Sequence, residues 1–570
     1  MEAGKRTIND IFNGNKILEI PFFQRAYVWD TPQWERFLTD MEHVSHTNKP
    51  YFLGSVILKQ QLTNSQQSVG DKRTVIDGQQ RLTTLNIFFK VLSMKTSNAY
   101  LATLFRLPMK NNEIALLHNH NDVAAFNKIL DLKKEDKLTA EDNVTRAYTY
   151  FSENIDETKL NFQNILTNIM FVGIDLGTDE DEQQIFDTIN SLGVKLTTAE
   201  LLKNYFFGRD DIQLYRDYWQ NVFEKDNDTK DFWDTEIATG RLRRYFIDLF
   251  FYSFLQIKIQ DSTYNVSADD KDEFTKVEGL FDSYKKFIKN YKINKLELIA
   301  EIKEYAKIFQ ENFDIEIIDS ELSDNSSIER LNAVIFGLEN TTLIPYVLFA
   351  LKNVTDQQEQ NKIFDYLEAY IMRRMVCHAN TKNYNQLFGE RFISNNILTK
   401  DDLKSFIDKR SDKVNYMPSD SELKEGFHQS KLTNKQASGI LYFIESKIRN
   451  RAKHSTSLLG LNRYSLEHLM PKKWENQWGK LSNEQDKLNR NRKLLTLGNL
   501  TIITASLNSS IRDGNWNVKK SGKTNKPGLN QYAAGLDTFS QYLALAVWDE
   551  SEISKRADFL YDKALITWKE

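Results

Sequence analysis

The amino-acid sequence predicts an α+β protein in which helices predominate. Near the N-terminus, residues 51–60 and 72–78 have the short apolar pattern of strands, and residues 79–92 have helical spacing. From about residue 210 to residue 417, apolar side chains follow a helical period almost throughout. Two further strand-like segments occur in the last 110 residues or so. We therefore expect a mixed N-terminal region, a helical middle and a small mixed C-terminal region.

Length and composition restrict the class of protein. The 570 residues are enough for three or four domains of about 100–200 residues each. Hydrophobic residues make up 41% and charged residues 27% of the chain, as in ordinary globular proteins, which excludes wholesale disorder. The single cysteine, Cys377, excludes an internal disulfide framework and fits a reducing cytoplasm. Neither a signal peptide nor an apolar run of about 18 residues is evident, so we expect a cytoplasmic protein without a membrane span.

The charge is distributed unevenly along the chain. The net charge is −4 overall, whereas residues 451–530 contain 15 lysines and arginines and five acidic residues, a net charge of +10. The remainder therefore has a net charge of −14. A local excess of this size is expected of a surface that binds the phosphates of a nucleic acid. A solvated basic face is the alternative.

The basic segment contains residue types that suit the hydrolysis of a phosphodiester. Glu467 and His468 are adjacent near the end of a predicted strand, and a second strand leads into a polar turn near Asn499 and Asn508. A neutral histidine can take a proton from water, and a carboxylate with an amide oxygen can hold a hard divalent cation. An asparagine beside the histidine can fix its orientation. The alternative is a surface histidine with asparagines that only form turns.

The same residues resemble a known nuclease signature. Glu-His-Leu-Met-Pro at 467–471, followed by Gly-Asn-Leu-Thr at 498–501 and Ser-Leu-Asn-Ser-Ser at 506–510, resembles the HNH, or ββα-metal, endonuclease motif. In particular it resembles the branch with an HxxP motif at the C-terminus of GmrSD-type restriction enzymes. The resemblance covers about residues 430–560 and implies a ββα-metal (HNH) nuclease domain.

The resemblance also implies a role for each residue of the motif. His468 would be the general base, and Asn499 would orient it. Glu467 and Asn508 would hold Mg²⁺ or Mn²⁺, although glutamate at 467 has a longer arm than the aspartate usual in related sites. Without cysteines the site would use oxygen and imidazole ligands rather than zinc thiolates. The lysines that would contact the DNA backbone, or else form a solvated tail, are Lys519, Lys520 and Lys523.

The N-terminal region contains a second candidate site. The sequence VIDGQQRLTTL at 75–85 places a tight Asp-Gly turn between a strand and a helix, and the N-terminus of a helix binds anions. Two arginines could close on a phosphate, the aspartate could hold a metal ion, and a glutamine could position a water. The residues of this candidate nucleotide site are Arg25, Asp77, Gly78, Gln79, Gln80 and Arg81. The alternative is an ordinary strand-to-helix turn with a surface arginine.

Motifs in this region resemble the N-terminal domain of the same GmrSD-type family, which is similar to the ParB and sulfiredoxin fold. They are IPFFQRAYVW at 20–29 and DGQQRLTTL at 77–85. A third segment fits the family pattern INxxGxxL…KN, whose fixed positions here are Asn190, Gly193, Leu196 and Asn204. The resemblance spans about residues 1–210. It implies binding or hydrolysis of a nucleoside triphosphate and sensing of modified DNA. Tyr27 and Trp29 are candidates for an aromatic pocket, with core packing as the alternative.

These observations together predict three domains and one function. We expect a nucleotide-binding sensor domain at residues 1–210, a helical linker at 211–425 and an HNH-like nuclease domain at 426–570. The predicted function is a nucleotide-regulated, metal-dependent endonuclease that nicks or cleaves modified foreign DNA, such as that of phages. The double-stranded DNA would be glucosylated, otherwise base-modified or phosphorothioated. The sequence also allows the protein to form a homodimer. The alternatives are a non-cleaving, nucleotide-switched DNA-binding protein and a DNA-stimulated nucleoside triphosphatase.

Overall fold

The computed structural model forms two compact units. It describes residues 2–12, 16–22, 24, 26–61, 71–107, 113–134, 136–139, 142–178, 198–239, 242–277, 279–324, 327–409, 414–454, 456–523, 526–532 and 535–569. The first unit contains residues 1–221 and 278–285, and the second contains residues 222–277 and 286–570. The predicted α+β class with a predominance of helices is confirmed.

A mixed six-stranded sheet forms the frame of the first unit. The strands of this unit are β1 (Glu2–Thr7), β2 (Ile17–Glu19), β3 (Tyr51–Gln60), β4 (Lys72–Asp77), β5 (Arg106–Leu107), β6 (Glu113–Ile114), β7 (Leu116–Leu117) and β8 (Ile169–Leu176). The order in the sheet is β1-β8-β3-β4-β2-β7, while β5 pairs with β6. Strand β4 runs antiparallel to β3, and β8 runs parallel to β3 on its other side. The two strands predicted around residues 51–60 and 72–78 therefore lie inside the sheet.

The helix Gln79–Lys95 belongs to the core of the first unit. Twelve of its residues are buried, and they extend around the helix beyond the predicted apolar face. A helix buried on all sides must be flanked by other elements, and here it contacts the helices Ala99–Thr103, Val123–Asp131 and Asn143–Asn154. The remaining α-helices of this unit are Ile8–Phe12, Thr31–Thr47, Phe162–Asn168, Thr198–Phe206 and Ile212–Tyr215. The helix Leu280–Asn290 begins in the first unit and ends in the second.

The second unit is mainly helical. Its α-helices are Asn227–Trp233, Phe246–Gln260, Ala268–Phe274, Lys295–Asn312, Ser327–Asn332, Ile344–Asn353, Gln357–Val376, Tyr384–Gln386, Phe392–Ser394, Lys400–Asp408, Asp420–Gln429, Asn434–Ile448, Glu484–Lys493, Ala505–Ile511, Trp516–Ser521, Leu529–Tyr532 and Glu550–Thr567. No helix in the described part of the chain is long and apolar enough to cross a membrane.

One part of the predicted helical middle is wrong. The sequence predicts a helix from about residue 241, but β10 (Leu242–Tyr245) pairs antiparallel with β9 (Glu236–Thr239), and the helix starts only at Phe246. The residues of β10 include two arginines, which prefer the partly exposed edge of a two-stranded pair to the buried surroundings of the following helix. Local periodicity did not separate the two elements.

A buried ion pair joins three helices of the second unit. Arg330 and Glu368 form a two-pronged contact, with Nε to Oε2 and Nη2 to Oε1 distances of 2.7 Å each. Arg330 also donates to the Ser446 hydroxyl at 3.0 Å, and the indole of Trp568 donates to Glu368 at 3.0 Å. Since both charged groups are nearly inaccessible to water, each depends on the other for the polar partners that water would otherwise supply.

We expect Arg330→Met to lower the free energy of unfolding of the second unit by about 3–5 kcal/mol, because it leaves a buried carboxylate without its cation. The measurement is urea unfolding followed by fluorescence and circular dichroism. The control is Arg330→Met with Glu368→Leu, which removes both charges and is expected to recover much of the loss. Equal losses in the single and double variants would contradict this account.

Candidate functional site

A strand-strand-helix segment forms the frame of the C-terminal candidate site. Strand β11 (Tyr464–His468) pairs antiparallel with β12 (Leu500–Thr504), so that His468 lies opposite Leu500. The helix Ala505–Ile511 follows β12 directly, and the Thr504 hydroxyl accepts a hydrogen bond from the main-chain N–H of Leu507 at its start. The predicted order of strand, strand and helix is present at the predicted motif.

His468 is the last residue of β11 and is half-buried. Burial, together with the nearby positive charges of Lys472 and Lys519, lowers the pKa of its imidazole to about 4. Both causes disfavour the imidazolium form. His468 is therefore neutral at physiological pH and can accept a proton, as a general base must.

Asn499 contacts the main chain beside His468 rather than the imidazole ring. Its Oδ1 accepts from the Met470 N–H at 2.8 Å and from the Trp548 indole at 3.0 Å. Its Nδ2 donates to the carbonyls of Met470 at 2.9 Å and Leu494 at 3.0 Å. The predicted direct contact with a ring nitrogen is therefore wrong, because four bonds already occupy this fully buried amide. Asn499 can orient His468 only through the chain that follows it.

Glu467 and Lys519 form a buried ion pair, which contradicts both of their predicted roles. The Lys519 ammonium contacts Glu467 Oε1 and donates to the His468 carbonyl at 2.6 Å. The two side chains are only 7% and 1% exposed. Lys519 therefore cannot reach a DNA phosphate, and Glu467 already has a cation as its partner. Burial raises the pKa of Glu467 and lowers that of Lys519, while the contact between them opposes both shifts.

Of the two predicted metal donors, Glu467 already has a cation as its partner, whereas the role of the Asn508 amide oxygen stays a prediction. A metal ion at Glu467 would have to displace the Lys519 ammonium from a buried position. Asn508 uses its amide nitrogen to donate to Ser465 Oγ at 3.2 Å and to the Leu466 carbonyl at 3.0 Å, which fixes the helix Ala505–Ile511 against β11. Within the described ranges, no three His, Cys, Asp or Glu side chains are grouped as a metal site.

The other predicted DNA contacts differ in exposure. Lys520 is half-buried and donates to the Leu545 carbonyl at 2.7 Å, whereas Lys523 is exposed. Two lysines that the motif did not single out, Lys472 and Lys473, are exposed directly after Pro471. Lys472 is close enough to His468 to influence its pKa. The two adjacent lysines directly after the HxxP motif were the feature of the sequence that could have indicated these DNA contacts.

The Asp77-Gly78 turn in the first unit is held by its neighbours on β3. Gly78 has φ +100°, and a Cβ there would lie 2.9 Å from Val56 Cγ2, so both the backbone and the packing require glycine. Asp77 accepts from the Ser55 hydroxyl at 2.5 Å and lies 3.6 Å from Arg81 Nη1. Arg81 also donates to the Ser55 carbonyl at 3.1 Å.

The two glutamines of the turn serve the fold. Gln80 Oε1 accepts from the main-chain N–H groups of Val28 at 2.9 Å and Trp29 at 3.4 Å, and its Nε2 donates to the Ala26 carbonyl at 3.3 Å. Gln79 is 9% exposed. The prediction that one of them positions a water is therefore wrong for Gln80, whose amide fastens residues 26–29 to the helix. The predicted positions Arg25, Asn190, Gly193 and Leu196 lie outside the described residues.

Two cavities in the described part of the first unit are lined by residues of the predicted motifs. The smaller, of about 290 Å³, is lined by Arg81 together with Arg36, Trp29 and Phe52. The larger, of about 620 Å³, combines aromatic side chains with three lysines; its lining includes Phe22, Tyr205, Phe281, Lys59, Lys72 and Lys285. Asn204 also lines it. Its buried Oδ1 has no hydrogen-bond partner among the residues that the structure describes, while its Nδ2 donates to Gln24 at 3.0 Å. Tyr27 is 3% exposed and belongs to the core.

Comparison with known families agrees with this arrangement. Residues 8–207 match the model of the GmrSD restriction endonuclease N-terminal domain, and residues 417–563 match that of the GmrSD restriction endonuclease C-terminal domain. The chain belongs to the GmrSD restriction endonuclease family. The predicted membership in the GmrSD-type family is thus confirmed, and the two matches together cover more than half of this GmrSD chain. No curated protein sequence matches it significantly.

The C-terminal GmrSD match contains the whole strand-strand-helix segment with His468. The N-terminal match contains the Asp77-Gly78 turn, and it contains Phe22 and Asn204, the motif residues that line the larger cavity. Membership in the family supports the role of a restriction endonuclease with DNA as its substrate. It leaves the individual catalytic residues to be assigned from the geometry around β11.

The lowered pKa of His468 predicts how DNA cleavage by this GmrSD enzyme depends on pH. A base with a pKa of about 4 stays neutral down to about pH 5, so the single-turnover rate constant should stay level between pH 8 and 5 and fall about tenfold per pH unit below 4. An ordinary histidine would lose half its activity near pH 6.5.

Substitution of Lys472 tests whether its charge helps to lower the pKa of His468. Lys472→Ala should raise this pKa, so that the rate constant decreases at a higher pH. Lys487→Ala removes an ammonium already paired with Glu484 and should leave the pH dependence of the rate constant unchanged. A midpoint near 6.5 in the unmodified protein would contradict the assignment.

Proposed function

We propose that this GmrSD protein cleaves modified foreign DNA, such as phage DNA, with His468 as general base and with control by a nucleoside triphosphate bound in the first unit. The observation that supports it most directly is the neutral, half-buried His468 at the end of β11, inside a segment with a net charge of +10. A histidine that remains neutral beside several lysines is suited to take a proton from water next to a bound phosphate.

The hydrolysis requires a proton to leave the attacking water and a proton to reach the leaving oxygen, and His468 can supply the first transfer. A ring nitrogen takes a proton from water, the water oxygen bonds to phosphorus, the bond from phosphorus to the leaving sugar oxygen breaks, and that oxygen takes a proton from solvent water. The exposed Lys472, Lys473 and Lys523 would neutralise phosphate charge around the reacting position. Because Glu467 is paired with Lys519, no step is assigned to a metal ion at that carboxylate, and the requirement for Mg²⁺ or Mn²⁺ is left to measurement.

The larger cavity of the first unit suits a nucleoside triphosphate. Its volume lies within the range of about 300–1,000 Å³ usual for small-molecule sites. The rings of Phe22, Tyr205 and Phe281 would contact a base, and the ammonium groups of Lys59 and Lys285 would approach the phosphates. Lys72 pairs with Glu19 at 2.8 Å, and the Lys285 ammonium lies 3.7 Å from a carboxylate oxygen of Asp282.

Asn204 adds a specific reason to place a base there. Its unpartnered Oδ1 is a buried acceptor, and such atoms are rarely left without a donor in native proteins. The exocyclic amine of adenine or guanine would supply one. The smaller cavity with Arg36 and Arg81 then remains for DNA that bears a modification.

We expect the full-length protein to nick or cut at least one modified DNA, and His468→Ala to reduce the rate constant by at least about 10³-fold while DNA binding stays within twofold. The assay follows plasmid conversion over unmodified, glucosylated, base-modified and phosphorothioated DNA, with and without each triphosphate and with Mg²⁺, Mn²⁺ or chelator. His43→Ala, at an exposed position of the helix Thr31–Thr47, is the control.

The other functions give different results in the same assay. A non-cleaving switch would bind DNA in a nucleotide-dependent way but leave every plasmid intact. A DNA-stimulated triphosphatase would release phosphate on addition of DNA without cutting it. Cleavage that survives His468→Ala would refute the assignment of the base.

The location of the nucleotide can be tested by calorimetric titration with ATP and GTP. We expect Lys59→Ala with Lys285→Ala to weaken binding at least tenfold, because two charge-assisted contacts with phosphate are lost. Lys128→Ala, an exposed lysine on the helix Val123–Asp131, is the control. If Arg81→Ala weakens binding and the lysine variant does not, the nucleotide occupies the smaller cavity instead.

A further inference from the structure

We propose that Lys519 is a positioning residue that holds the catalytic histidine in place through its main chain, with Glu467 as the fixed partner of the ammonium. The inference rests on the proposed function, in which His468 is the general base. It gives the two residues a shared task that differs from the DNA and metal contacts expected from their motif positions.

Four main-chain polar groups between the His468 carbonyl and the Met470 carbonyl are held by Lys519 and Asn499. Lys519 Nζ donates to the His468 carbonyl at 2.6 Å. The Leu469 N–H donates to the Asn499 carbonyl at 2.9 Å. The Met470 N–H and carbonyl both bond to the side-chain amide of Asn499, at 2.8 and 2.9 Å. Lys519 therefore supplies the contact at the histidine itself, and Asn499 supplies the three that follow.

The two holding residues are connected to each other. The indole of Trp548 donates to Asn499 Oδ1 at 3.0 Å and stacks on Trp516, with ring centroids 5.4 Å apart and an interplanar angle of 27°. Trp516 and Lys519 belong to the same short helix, Trp516–Ser521. A closed chain of contacts thus runs from His468 through Asn499 and the two tryptophans back to Lys519. A shift of this helix would move both holding groups together.

Glu467 explains how an ammonium can remain in this position. Lys519 is 1% exposed, and a buried ammonium without an anion is strongly disfavoured. The carboxylate of Glu467 supplies that anion from the residue directly before the histidine. Because neighbouring residues of a strand point to opposite faces, Glu467 can hold the ammonium behind β11 while the His468 side chain projects from the other face.

Variants of the full-length protein distinguish the positioning role from a DNA contact by Lys519 and from metal binding by Glu467. Lys519→Met with Glu467→Gln removes both charges together, so that neither is left buried alone, and it deletes the donor to the His468 carbonyl. Lys519→Arg keeps a cation that can reach the same carbonyl. Glu467→Gln alone keeps an oxygen facing Lys519 but lowers the affinity of any metal site that used the carboxylate. Lys487→Met, at a half-buried lysine of the helix Glu484–Lys493 that pairs with Glu484, is the control.

We expect the double variant to lose about 10²-fold in kcat with KM for DNA unchanged within twofold, since a misplaced base slows chemistry without weakening binding. Lys519→Arg should recover kcat to within about tenfold of the unmodified protein. Glu467→Gln should leave the Mg²⁺ concentration for half-maximal rate unchanged within twofold. A rise in KM with a weaker salt dependence would make Lys519 a DNA contact, and a tenfold higher Mg²⁺ requirement would make Glu467 a metal ligand; either result overturns the proposal.

Hydrogen exchange tests the positioning independently of cleavage. The N–H groups of Leu469 and Met470 are both bonded to Asn499 and should exchange slowly in the unmodified protein. In the double variant they should exchange at least tenfold faster, while the amides of the helix Gln357–Val376 stay unchanged as an internal reference for the fold. Unchanged exchange at Leu469 and Met470 overturns the proposal even if no DNA is cut. Absence of cleavage by the unmodified protein, with the expected exchange, refutes the proposed function instead.

Discussion

The guanidinium of Arg556 is the interaction on which the C-terminal site most depends. It lies in the helix Glu550–Thr567, is fully buried, and donates from Nη1 to the carbonyls of Leu497, Gly498 and Leu500, the last at 2.6 Å. Burial lowers its pKa to about 10, yet it stays charged at neutral pH. Because buried carbonyls need donors, one side chain fixes the turn that places Asn499 and starts β12.

The order of dependence runs outward from that turn to the reacting position. Arg556 fixes the main chain of residues 497–500, Asn499 fixes Met470, and the strand that ends at His468 is thereby held at its C-terminal end. Hydrogen bonds and the two stacked tryptophans hold these residues in buried surroundings. Among the described residues of this framework there is no cysteine that could form a disulfide or bind a metal ion. Low polarity strengthens such bonds and makes their loss costly, which favours a single orientation of the histidine.

The sequence was sufficient where structure depends on local patterns. The strand at residues 51–60, the Asp77-Gly78 turn and the strand-strand-helix order around His468 all follow from periodicity and turn chemistry. It was insufficient where a polar side chain has more than one possible partner. Lys519 belongs to a basic run that looks solvated, and only the packing of its helix reveals that it faces Glu467. Gln80 and Asn499 similarly bond to main-chain groups that no spacing rule identifies.

In the first unit, much of the DGQQR motif is used by the fold itself. Gln80 fastens residues 26–29, Asp77 bonds to β3, and Gly78 is required by its backbone conformation and by Val56. A ligand of either cavity would then contact mainly Arg81 and side chains from other segments. A motif can therefore be long and specific because it builds the walls of a site, even when few of its residues contact what binds there.

The order of Arg556 and its partners along the chain also has a consequence for events during synthesis. Translation proceeds from the N-terminus, so the turn before β12 leaves the ribosome before the helix that contains this arginine. Until that helix follows, the carbonyls of Leu497, Gly498 and Leu500 lack the donor that fixes them. A chain interrupted before Arg556 would thus contain His468 without the framework around it.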